Sequence, residues 1–287
     1  MKHAARSTPY ARSPNSKRAK TNDVNRSTEN HIVSTALDPI QEVNRKSDAD
    51  FVKEHMRPSP SVDWSSWIHP KTSKLYTVEL RGTANLNSED LEACYKLIEE
   101  TSRHDYEAST TGWDREKKIK EMKSPDLRYI IVRDLDTRDE DENSEREGSS
   151  YSEEGDRDGE ERQRAAMLIR GFTSLMPTYE EGEPVLYCYE IHLKPELQRT
   201  GLSKLLMSYL ESVAINTPPI TKVMLTCFLS NEKAFEFYKR SGFEVDPLTP
   251  RPKKLRNGKT VVVDYAIMSK VVIAAREVLT KNLVENG

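Results

Sequence analysis

A strand-like run, a tight loop and an amphipathic helix follow one another in the middle of this 287-residue chain, and this succession constrains the fold most. The run covers residues 187–193, and the loop at residues 198–204 opens directly into the helix. The apolar residues of the helix recur every three or four positions and form one face: Leu202, Leu205, Leu206, Leu210, Val213 and Ala214. The pattern therefore predicts a buried helix immediately after the loop.

The loop itself has the properties of an anion site. Backbone N–H groups at the start of a helix have no partner within the helix, and the helix dipole adds partial positive charge there. Gly201 can adopt a positive φ and lets a phosphate come close to the backbone. The segment therefore predicts a pyrophosphate site, with an ordinary corner between a strand and a helix as the alternative.

A second strand and a second, shorter helix follow at residues 222–229 and 230–243. The strand is almost entirely apolar, which is typical of a buried strand. The helix starts with Ser230 and Asn231, which are residue types that cap helix N-termini, and Gly242 is suited to end it. The middle of the chain therefore predicts the succession strand, loop, helix, strand, helix.

These two segments resemble the GNAT superfamily of N-acetyltransferases. The first superfamily motif, Gln/Arg-x-x-Gly-x-Gly/Ala, matches at Gln198 and Gly201 and departs at Ser203, where a small hydroxyl residue replaces Gly or Ala. The second motif has its counterparts in Asn231, Ala234, Tyr238, Gly242 and Phe243. The resemblance implies acetyl-CoA as the acetyl donor and the GNAT fold, in which helices flank one central twisted mixed β-sheet.

Three blocks at residues 111–118, 185–190 and 223–226 are similar to NatD, the family of histone-directed N-terminal α-amino acetyltransferases. The similarity extends over about residues 75–270. It implies transfer of acetyl from acetyl-CoA to the N-terminal α-amino group of histones four and two-A, which begin Ser-Gly-Arg. Histone N-terminal tails would then be the protein partners, in the cytoplasm and the nucleus, and we expect a monomer.

Composition and charge argue against several other classes of protein. The net charge of −3 gives no reason to expect a nucleic-acid surface, and no apolar run is long enough for a transmembrane helix. The first residues lack the apolar core of a secretory signal, and Cys94, Cys188 and Cys227 are too widely spaced for a disulfide framework. The six histidines form no ligand cluster. We therefore expect no metal, no membrane and no direct nucleic-acid partner.

Two segments have the composition of disordered chain. Residues 1–45 form a basic arm, and residues 134–164 form an insertion with fourteen acidic and five basic residues. Neither segment has enough apolar side chains to offset the entropy that ordering would cost. The arm could serve nuclear import or tethering, and the insertion could attract a basic histone tail, but solvated segments without a specific role are favoured. The GNAT domain would then be residues 46–287.

The rest of the chain alternates between strand and helix patterns. Strands are predicted at residues 75–81, 129–133, 167–175 and 260–268, and helices at residues 88–101, 113–123 and 271–283. Ser88 is a suitable N-cap for the first of these helices. Mixed strands with helices between them predict an α/β fold around one twisted sheet.

Glu190 is the candidate general base. An α-amino group has a pKa near ~8, so much of it must lose a proton before it can attack a thioester. The pKa of a carboxylate that is partly desolvated in a sheet can rise toward neutrality, and the group can then take that proton directly or through water. The resemblance, rather than this pKa argument, favours the catalytic role of Glu190. The alternative is a structural carboxylate paired with Lys or Arg. In an unbroken strand Cys188, Glu190 and His192 share one face, although the resemblance implies a bulge nearby.

The resemblance assigns the remaining site residues. Tyr238 corresponds to a proton donor for the departing thiolate, with a core aromatic residue as the alternative. Cofactor contacts are implied for Ile191, His192, Leu193, Arg199, Thr200, Gly201, Leu202, Ser203, Lys204, Thr226 and Asn231. Peptide contacts are implied for Tyr106, Glu180 and Tyr265, of which the glutamate would receive the arginine of the acceptor. This sequence has Thr111 and Thr178 where NatD has a tryptophan and an acid.

Two other functions fit the same residues. One is a related acetyltransferase that acts on a lysine side chain or a small amine. The other is a non-catalytic module that binds histone tails on a degenerate acetyltransferase fold. The intact loop at residues 199–204, together with Asn231 and Glu190, favours an enzyme, because loss of activity usually removes the cofactor residues.

Overall fold

The computed structural model describes residues 38–57, 63–134, 168–254, 256–258 and 260–272. Within these ranges, eight strands form one mixed sheet with helices on both faces. Its strands are β1 (Ser66–Ile68), β2 (Leu75–Gly82), β3 (Arg128–Asp134), β4 (Ile169–Glu180), β5 (Glu183–Leu193), β6 (Lys222–Phe228), β7 (Glu244–Val245) and β10 (Tyr265–Val271). The strands β8 (Lys253–Lys254) and β9 (Thr260–Val261) pair with each other in a separate hairpin.

Helices connect these strands and begin at side chains that cap them. The helices are α1 (Pro39–Asn44), α2 (Asp48–Phe51), α3 (Ser88–Ala108), α4 (Arg115–Met122), α5 (Leu202–Ile215) and α6 (Glu232–Arg240). The side chains of Asn87, Asp114 and Asn231 accept backbone N–H groups in the first turns of α3, α4 and α6, respectively. A π-helical turn, Val52–Met56, extends α2.

The strands lie in the order β1-β2-β3-β4-β5-β6-β10-β7. Neighbours are antiparallel except β5 and β6, which are parallel and are connected through α5. In β3 every residue except Arg133 is buried, which suits its position between β2 and β4. The predicted α/β fold is therefore confirmed, including the succession of strand, loop, helix, strand and helix from β5 to α6.

Two apolar clusters cover the two faces of the sheet. On one face, α5 buries Leu206, Leu210 and Val213 in a cluster that also receives residues from α1, α2 and α6. On the other face, α3 and α4 contribute Ile98 and Met122 to the second cluster. The burial follows the apolar spacing of the sequence, because one stripe of each helix meets the sheet. Each face of the sheet therefore has its own core.

The sheet parts between β5 and β6. These strands pair over only three residues, and their last pair is Cys188 with Leu225. Both strands continue beyond it, β5 to Leu193 and β6 to Phe228. Past Cys188 the backbone of β5 is paired with β4 alone. A gap therefore opens in the middle of the sheet, between two strands that are paired on their outer sides.

A β-bulge in β5 changes which side chains face the gap. Glu190 and Cys188 lie opposite consecutive residues of β4, so Tyr189 between them has no partner there. The predicted common face of Cys188, Glu190 and His192 is therefore wrong for the cysteine. Cys188 packs in the cluster under α5, whereas Glu190 contacts α4 and His192 contacts α3.

Some element boundaries differ from the sequence prediction. The first long helix extends to Ala108, and its N-cap is Asn87 rather than Ser88, because Asn87 Oδ1 accepts the N–H of Asp90 at 2.7 Å. The late strand is β10, which begins at Tyr265, five residues later than predicted. These differences move the ends of elements and leave their types unchanged.

The two segments predicted to be disordered lie mostly outside the described residues. Residues 1–37 of the basic arm and residues 135–164 of the acidic insertion belong to this group, as do residues 273–283 of the predicted last helix. The range assigned to the arm ends too late, however, because α1 occupies residues 39–44. Its N-cap, Asp38, accepts two backbone N–H groups, a feature that we did not identify in the sequence.

Arg128 fastens α1 and α2 to the sheet. Its guanidinium group donates to Asp48 Oδ1 at 3.0 Å and to the carbonyl groups of Asn44 at 3.1 Å and Lys46 at 2.8 Å. The same group lies 4.3 Å from the ring centre of Phe51. The side chain of Arg128 is only 6% exposed. Its removal would leave the Asp48 carboxylate without its cation, although Gly82 and Asn85 still donate to it, and would leave the two carbonyl groups without this donor.

We predict that Arg128→Ala lowers the free energy of unfolding by about 3 kcal/mol, because it breaks a buried ion pair. Chemical denaturation of the purified protein measures this change. The matched control is Arg81→Ala, since Arg81 is half exposed and pairs with Glu79 on its own strand, and it should cost less than about 1 kcal/mol. Equal losses in the two variants would contradict the anchoring role of Arg128.

Candidate active site where two parallel strands part

The gap between β5 and β6 forms a cavity of about 80 Å³. The predicted site residues that line it are Glu190, Ile191, His192, Thr226, Asn231 and Tyr238. Tyr106 and Ser102 of α3 border it from one face of the sheet. Because β5 has no strand partner on this side, its backbone N–H and C=O groups can pair with an extended ligand.

Glu190 is the centre of a buried polar network. Its Oε1 accepts from Lys118 Nζ at 2.8 Å and from the Tyr106 hydroxyl at 3.4 Å. Its Oε2 lies 2.6 Å from His192 Nε2, and His192 Nδ1 lies 2.6 Å from Thr101 Oγ1. The side chain of Glu190 is only 9% exposed, so protein groups replace most of the water around its charge.

The network keeps Glu190 ionised. Burial by itself raises the pKa of a carboxylic acid, but the charge of Lys118 and the hydrogen bond from His192 together outweigh burial and hold the pKa of Glu190 well below its usual range. The raised pKa that we expected is therefore wrong. Glu190 is a lysine-paired carboxylate that also borders the gap. Its charge can orient N–H groups there, but its low pKa makes it a weak proton acceptor.

Tyr238 packs as a core aromatic residue and also lines the gap. Its ring packs against Phe237 and Phe243 in the cluster under α5. Tyr238 also lines the gap, and burial raises the pKa of its hydroxyl well above the usual value. The phenol therefore keeps its proton at neutral pH, as a donor to a thiolate must. Proton donation by Tyr238 stays a prediction.

The loop before α5 has the backbone conformation expected of an anion site. Gly201 is the N-cap of α5 with a φ of 93°, and Arg199 also has a positive φ, of 60°. A Cβ atom on Gly201 would meet nothing within 4 Å, so the backbone angle rather than space favours glycine. Gly201, Arg199 and Lys204 are exposed. Leu202 is fully buried, so only its backbone is suited to bind a ligand.

Other predicted cofactor residues shape this loop and the adjoining strands. Thr200 Oγ1 donates to the carbonyl of Leu197 at 2.6 Å, so its hydroxyl stabilises the turn. The carbonyl of Leu193 accepts from Gln198 Nε2 at 3.1 Å, which joins the end of β5 to the loop. Ser203 is partly buried in the first turn of α5. These contacts fix the backbone from which the loop N–H groups project.

Asp105 of α3 holds the start of α6 across the gap. Asn231 caps α6, and its Nδ2 donates to Asp105 Oδ2 at 3.3 Å. Ser230 Oγ donates to Asp105 Oδ1 at 2.7 Å. The predicted site residue Asn231 therefore lies at the gap, where its side chain is engaged in positioning α6. Thr226 also lies there, with its hydroxyl 2.5 Å from that of Tyr187.

A larger cavity, of about 1140 Å³, adjoins the gap, and Tyr106 and Tyr189 line both. It is formed by the loop between α3 and α4, by α4 and by the end of β4. Glu180 lines this cavity, as do Thr111 and Thr178, the positions that depart from NatD. Two of the three predicted peptide residues, Tyr106 and Glu180, are therefore brought together at one cavity.

Glu180 and Tyr265 differ in their surroundings. Burial and the neighbouring charge of Glu181 raise the pKa of Glu180, so a cation beside it would stabilise its ionised form. Tyr265 of β10 pairs with Phe228 of β6 and packs against the apolar cluster under α3. It lines neither of the two cavities.

Lys118 and Glu121 of α4 belong to the site but were not identified from the sequence. Lys118 Nζ donates to Glu121 Oε1 at 2.9 Å, and their side chains are 5% and 16% exposed. In the sequence Lys118 cannot be distinguished from Lys117 and Lys120, which flank it on a charged helix. It is buried against Tyr106 of the preceding helix and against Glu190, which lies 72 residues later in the chain.

Across the described ranges, no three His, Cys, Asp or Glu side chains are placed to hold a metal ion. Cys94, Cys188 and Cys227 are buried free thiols. Among the helices of the described ranges, none combines the length and apolar character needed to cross a membrane.

The sequence matches the model of the acetyltransferase (GNAT) family over residues 113–243. This segment contains α4, both strands of the gap, the loop before α5, and α6. The large cavity extends beyond it, because α3 precedes residue 113. The match therefore covers the gap and the predicted anion site more fully than the side that would receive an acceptor.

Several solved structures are similar to this chain. NAA60 of Arabidopsis thaliana in complex with acetyl-CoA is 14% identical, with 68% of this chain and 99% of that chain covered and a TM-score of 0.42. The ribosomal-protein-S18-alanine N-acetyltransferase of Escherichia coli is 15% identical, with 69% and 96% covered and a TM-score of 0.36. Spermidine N-acetyltransferase of Vibrio cholerae, in complex with CoA and spermine, is 16% identical, with 68% and 95% covered and a TM-score of 0.39.

These three structural similarities are too distant to carry an argument about substrate. The family match rests instead on the segment that contains the parted strands and the glycine loop. Residues 113–243, a little under half of the chain, therefore match the GNAT family of acetyltransferases.

Proposed function

We propose that this protein is an N-α-acetyltransferase that transfers acetyl from acetyl-CoA to the N-terminal α-amino group of histones four and two-A, which begin Ser-Gly-Arg. The observation that carries the proposal is that two neighbouring cavities share Tyr106 and Tyr189 as lining residues. The gap suits the extended arm of a thioester, and the larger cavity has room for several peptide residues. Acetyl transfer requires that both substrates meet in line at one point.

The donor would occupy the gap and the loop before α5. The N-terminus of α5 would bind the pyrophosphate through backbone N–H groups, to which Arg199 and Lys204 add positive charge. The pantetheine arm would run along the side of β5 that β6 leaves unpaired, from Leu193 toward Glu190. This direction would bring the thioester to the junction of the two cavities.

The acceptor would occupy the larger cavity. Charged side chains of both signs line it, so its overall charge does not select a cationic peptide. Glu180 stands out because it is half-buried, and a partly desolvated carboxylate binds a guanidinium group more strongly than an exposed one. We therefore assign Glu180 to the arginine of Ser-Gly-Arg. The α-amino group would then enter beside Tyr106 and Tyr189.

The reaction would be direct transfer. The amine nitrogen attacks the thioester carbonyl carbon and an N–C bond forms. As the tetrahedral intermediate collapses, the C–S bond breaks and the nitrogen releases one proton to solvent. Tyr238, at the gap, would give its proton to the departing thiolate and recover one from solvent. Glu190 would hold the polar groups around the reacting amine in place with its fixed negative charge.

We further propose that the enzyme acts as a monomer in the cytoplasm and the nucleus. Newly made histones and assembled histones would expose their N-terminal tails in these two compartments. Acetyl-CoA and the tails are therefore the partners that we assign to this site.

We predict that the purified protein with acetyl-CoA acetylates the α-amino group of a Ser-Gly-Arg-Gly-Lys peptide. Mass spectrometry of the product locates the acetyl group. The same peptide with its N-terminus already acetylated is the control and should not react.

Other results would assign the protein to the other two functions. Acetylation of the lysine would indicate an acetyltransferase for side-chain amines. Acetyl-CoA binding without turnover on any amine would indicate a module that binds histone tails.

We predict that Glu180→Gln lowers kcat/KM for this peptide about 10- to 100-fold, because a charge-assisted hydrogen bond is lost. Replacing the peptide arginine by alanine should lower kcat/KM by a similar factor in the wild-type protein. In Glu180→Gln the same replacement should lower kcat/KM little further, since both changes remove the same contact. Glu236→Gln, at a half-exposed position on α6 that lines neither cavity, is the matched control and should leave kcat/KM unchanged. Fully additive losses would show that Glu180 and the arginine do not meet.

A further inference from the structure

Lys118 joins two carboxylates that face different cavities. Its Nζ donates to Glu190 Oε1 at 2.8 Å, to Glu121 Oε1 at 2.9 Å and to the Tyr106 hydroxyl at 2.7 Å. Glu190 lines the gap, whereas Glu121 lines the larger cavity. The donor side and the acceptor side of the site therefore each have a carboxylate, and one ammonium group lies between them.

The two carboxylates differ in how many donors they receive. Glu190 receives three contacts, because Lys118 and Tyr106 contact Oε1 and His192 contacts Oε2. Glu121 accepts from Lys118 through Oε1, and its Oε2 has no hydrogen-bond partner among the described residues. An acceptor oxygen without a donor on the wall of the larger cavity is placed to meet the ammonium group of an incoming substrate.

We propose that Glu121 is the group that accepts a proton from the substrate ammonium before acetyl transfer, an inference that rests on the proposed function. One N–H bond of the ammonium breaks, its proton forms an O–H bond on Glu121, and the nitrogen keeps the electron pair. That pair then attacks the thioester carbonyl carbon. As the C–S bond breaks, the nitrogen releases its second proton to solvent and the departing thiolate receives one from Tyr238. The proton passes from Glu121 to solvent through the open cavity, so the carboxylate is restored.

The electrostatics of the site favour Glu121 over Glu190 for this step. Burial raises the pKa of Glu121, and although the charge of Lys118 lowers it, the charge of Glu190 raises it further. The pKa of Glu190 is held low by Lys118 and His192. An α-ammonium group has a pKa near ~8, so the acid with the higher pKa is the better acceptor for its proton.

The groups that face Glu121 come from four elements. They are Lys118 on α4, Glu190 and Tyr189 on β5, Tyr106 on α3 and Tyr129 on β3. Burial raises the pKa of Tyr189 and Tyr129, so both stay neutral while Glu121 titrates. The charges that set its titration are therefore those of Lys118 and Glu190.

The test is the pH profile of kcat/KM for the Ser-Gly-Arg-Gly-Lys peptide. Glu121→Gln should lower kcat/KM about 100-fold at pH 7, because no carboxylate takes the proton. At about pH 9.5 the α-amine is mostly unprotonated, and the loss should shrink to less than about tenfold. Glu236→Gln is the matched control, since Glu236 also pairs with a lysine three residues away but is half exposed on α6, and it should match the wild type.

A second variant separates proton transfer from a structural role. Glu190→Gln should move the acidic limb of its remaining activity to lower pH, because the charge of Glu190 helps to raise the pKa of Glu121. Glu121→Ala should regain activity when sodium formate supplies a carboxylate, even if Glu121→Gln proves too unstable to measure. Acetyl-CoA binding and thermal unfolding are measured for each variant to establish that it is folded.

Several results would overturn the inference. They are wild-type activity in Glu121→Gln, the same loss at both pH values, or no response of Glu121→Ala to formate. If the wild-type protein acetylates the peptide and any of these results is found, the role of Glu121 is rejected and the proposed function stands. A wild-type protein that acetylates neither the α-amine nor the lysine rejects the proposed function, and the inference with it.

Discussion

The gap between β5 and β6 is the constraint on which the rest of the structure depends. A sheet that parts in its middle leaves backbone N–H and C=O groups without strand partners, and these groups need a ligand or water instead. The outer sides of the two strands stay paired with β4 and β10, so the unpaired backbone is confined to one opening. The bulge at Tyr189 then turns Glu190 toward α3 and α4, where an acceptor could reach it.

The chemistry of the opening depends on one buried ammonium group, that of Lys118, which pairs with two carboxylates. Lys118 lies between Glu190 and Glu121, and two like charges near one site make each other harder to ionise. Glu190 also has donors from Tyr106 and His192, so it keeps the negative charge most firmly. Glu121 receives the remaining share and is the easier of the two to protonate. Because their environments separate the two pKa values, Glu190 is suited to anchor polar groups and Glu121 to accept a proton.

Local sequence pattern predicts the parts of this protein that depend on local physics. The succession from β5 to α6 and the positive φ at Gly201 follow from apolar spacing and from the freedom of glycine. The low pKa of Glu190 could not be predicted, since it depends on Lys118, which lies 72 residues earlier in the chain. The bulge could only be carried over from the resemblance, because strand alternation alone places Cys188 on the wrong face.

Asp105 accepts hydrogen bonds from Ser230 and Asn231 across the mouth of the gap and so joins the helix layers on the two faces of the sheet. Elsewhere in the sheet a ladder of main-chain bonds fixes the spacing of neighbouring strands. At the mouth of the gap, these side-chain hydrogen bonds fix the spacing instead. The width of the opening is thus encoded in a few replaceable side chains, and evolution can adjust which acyl groups fit there without rebuilding the sheet.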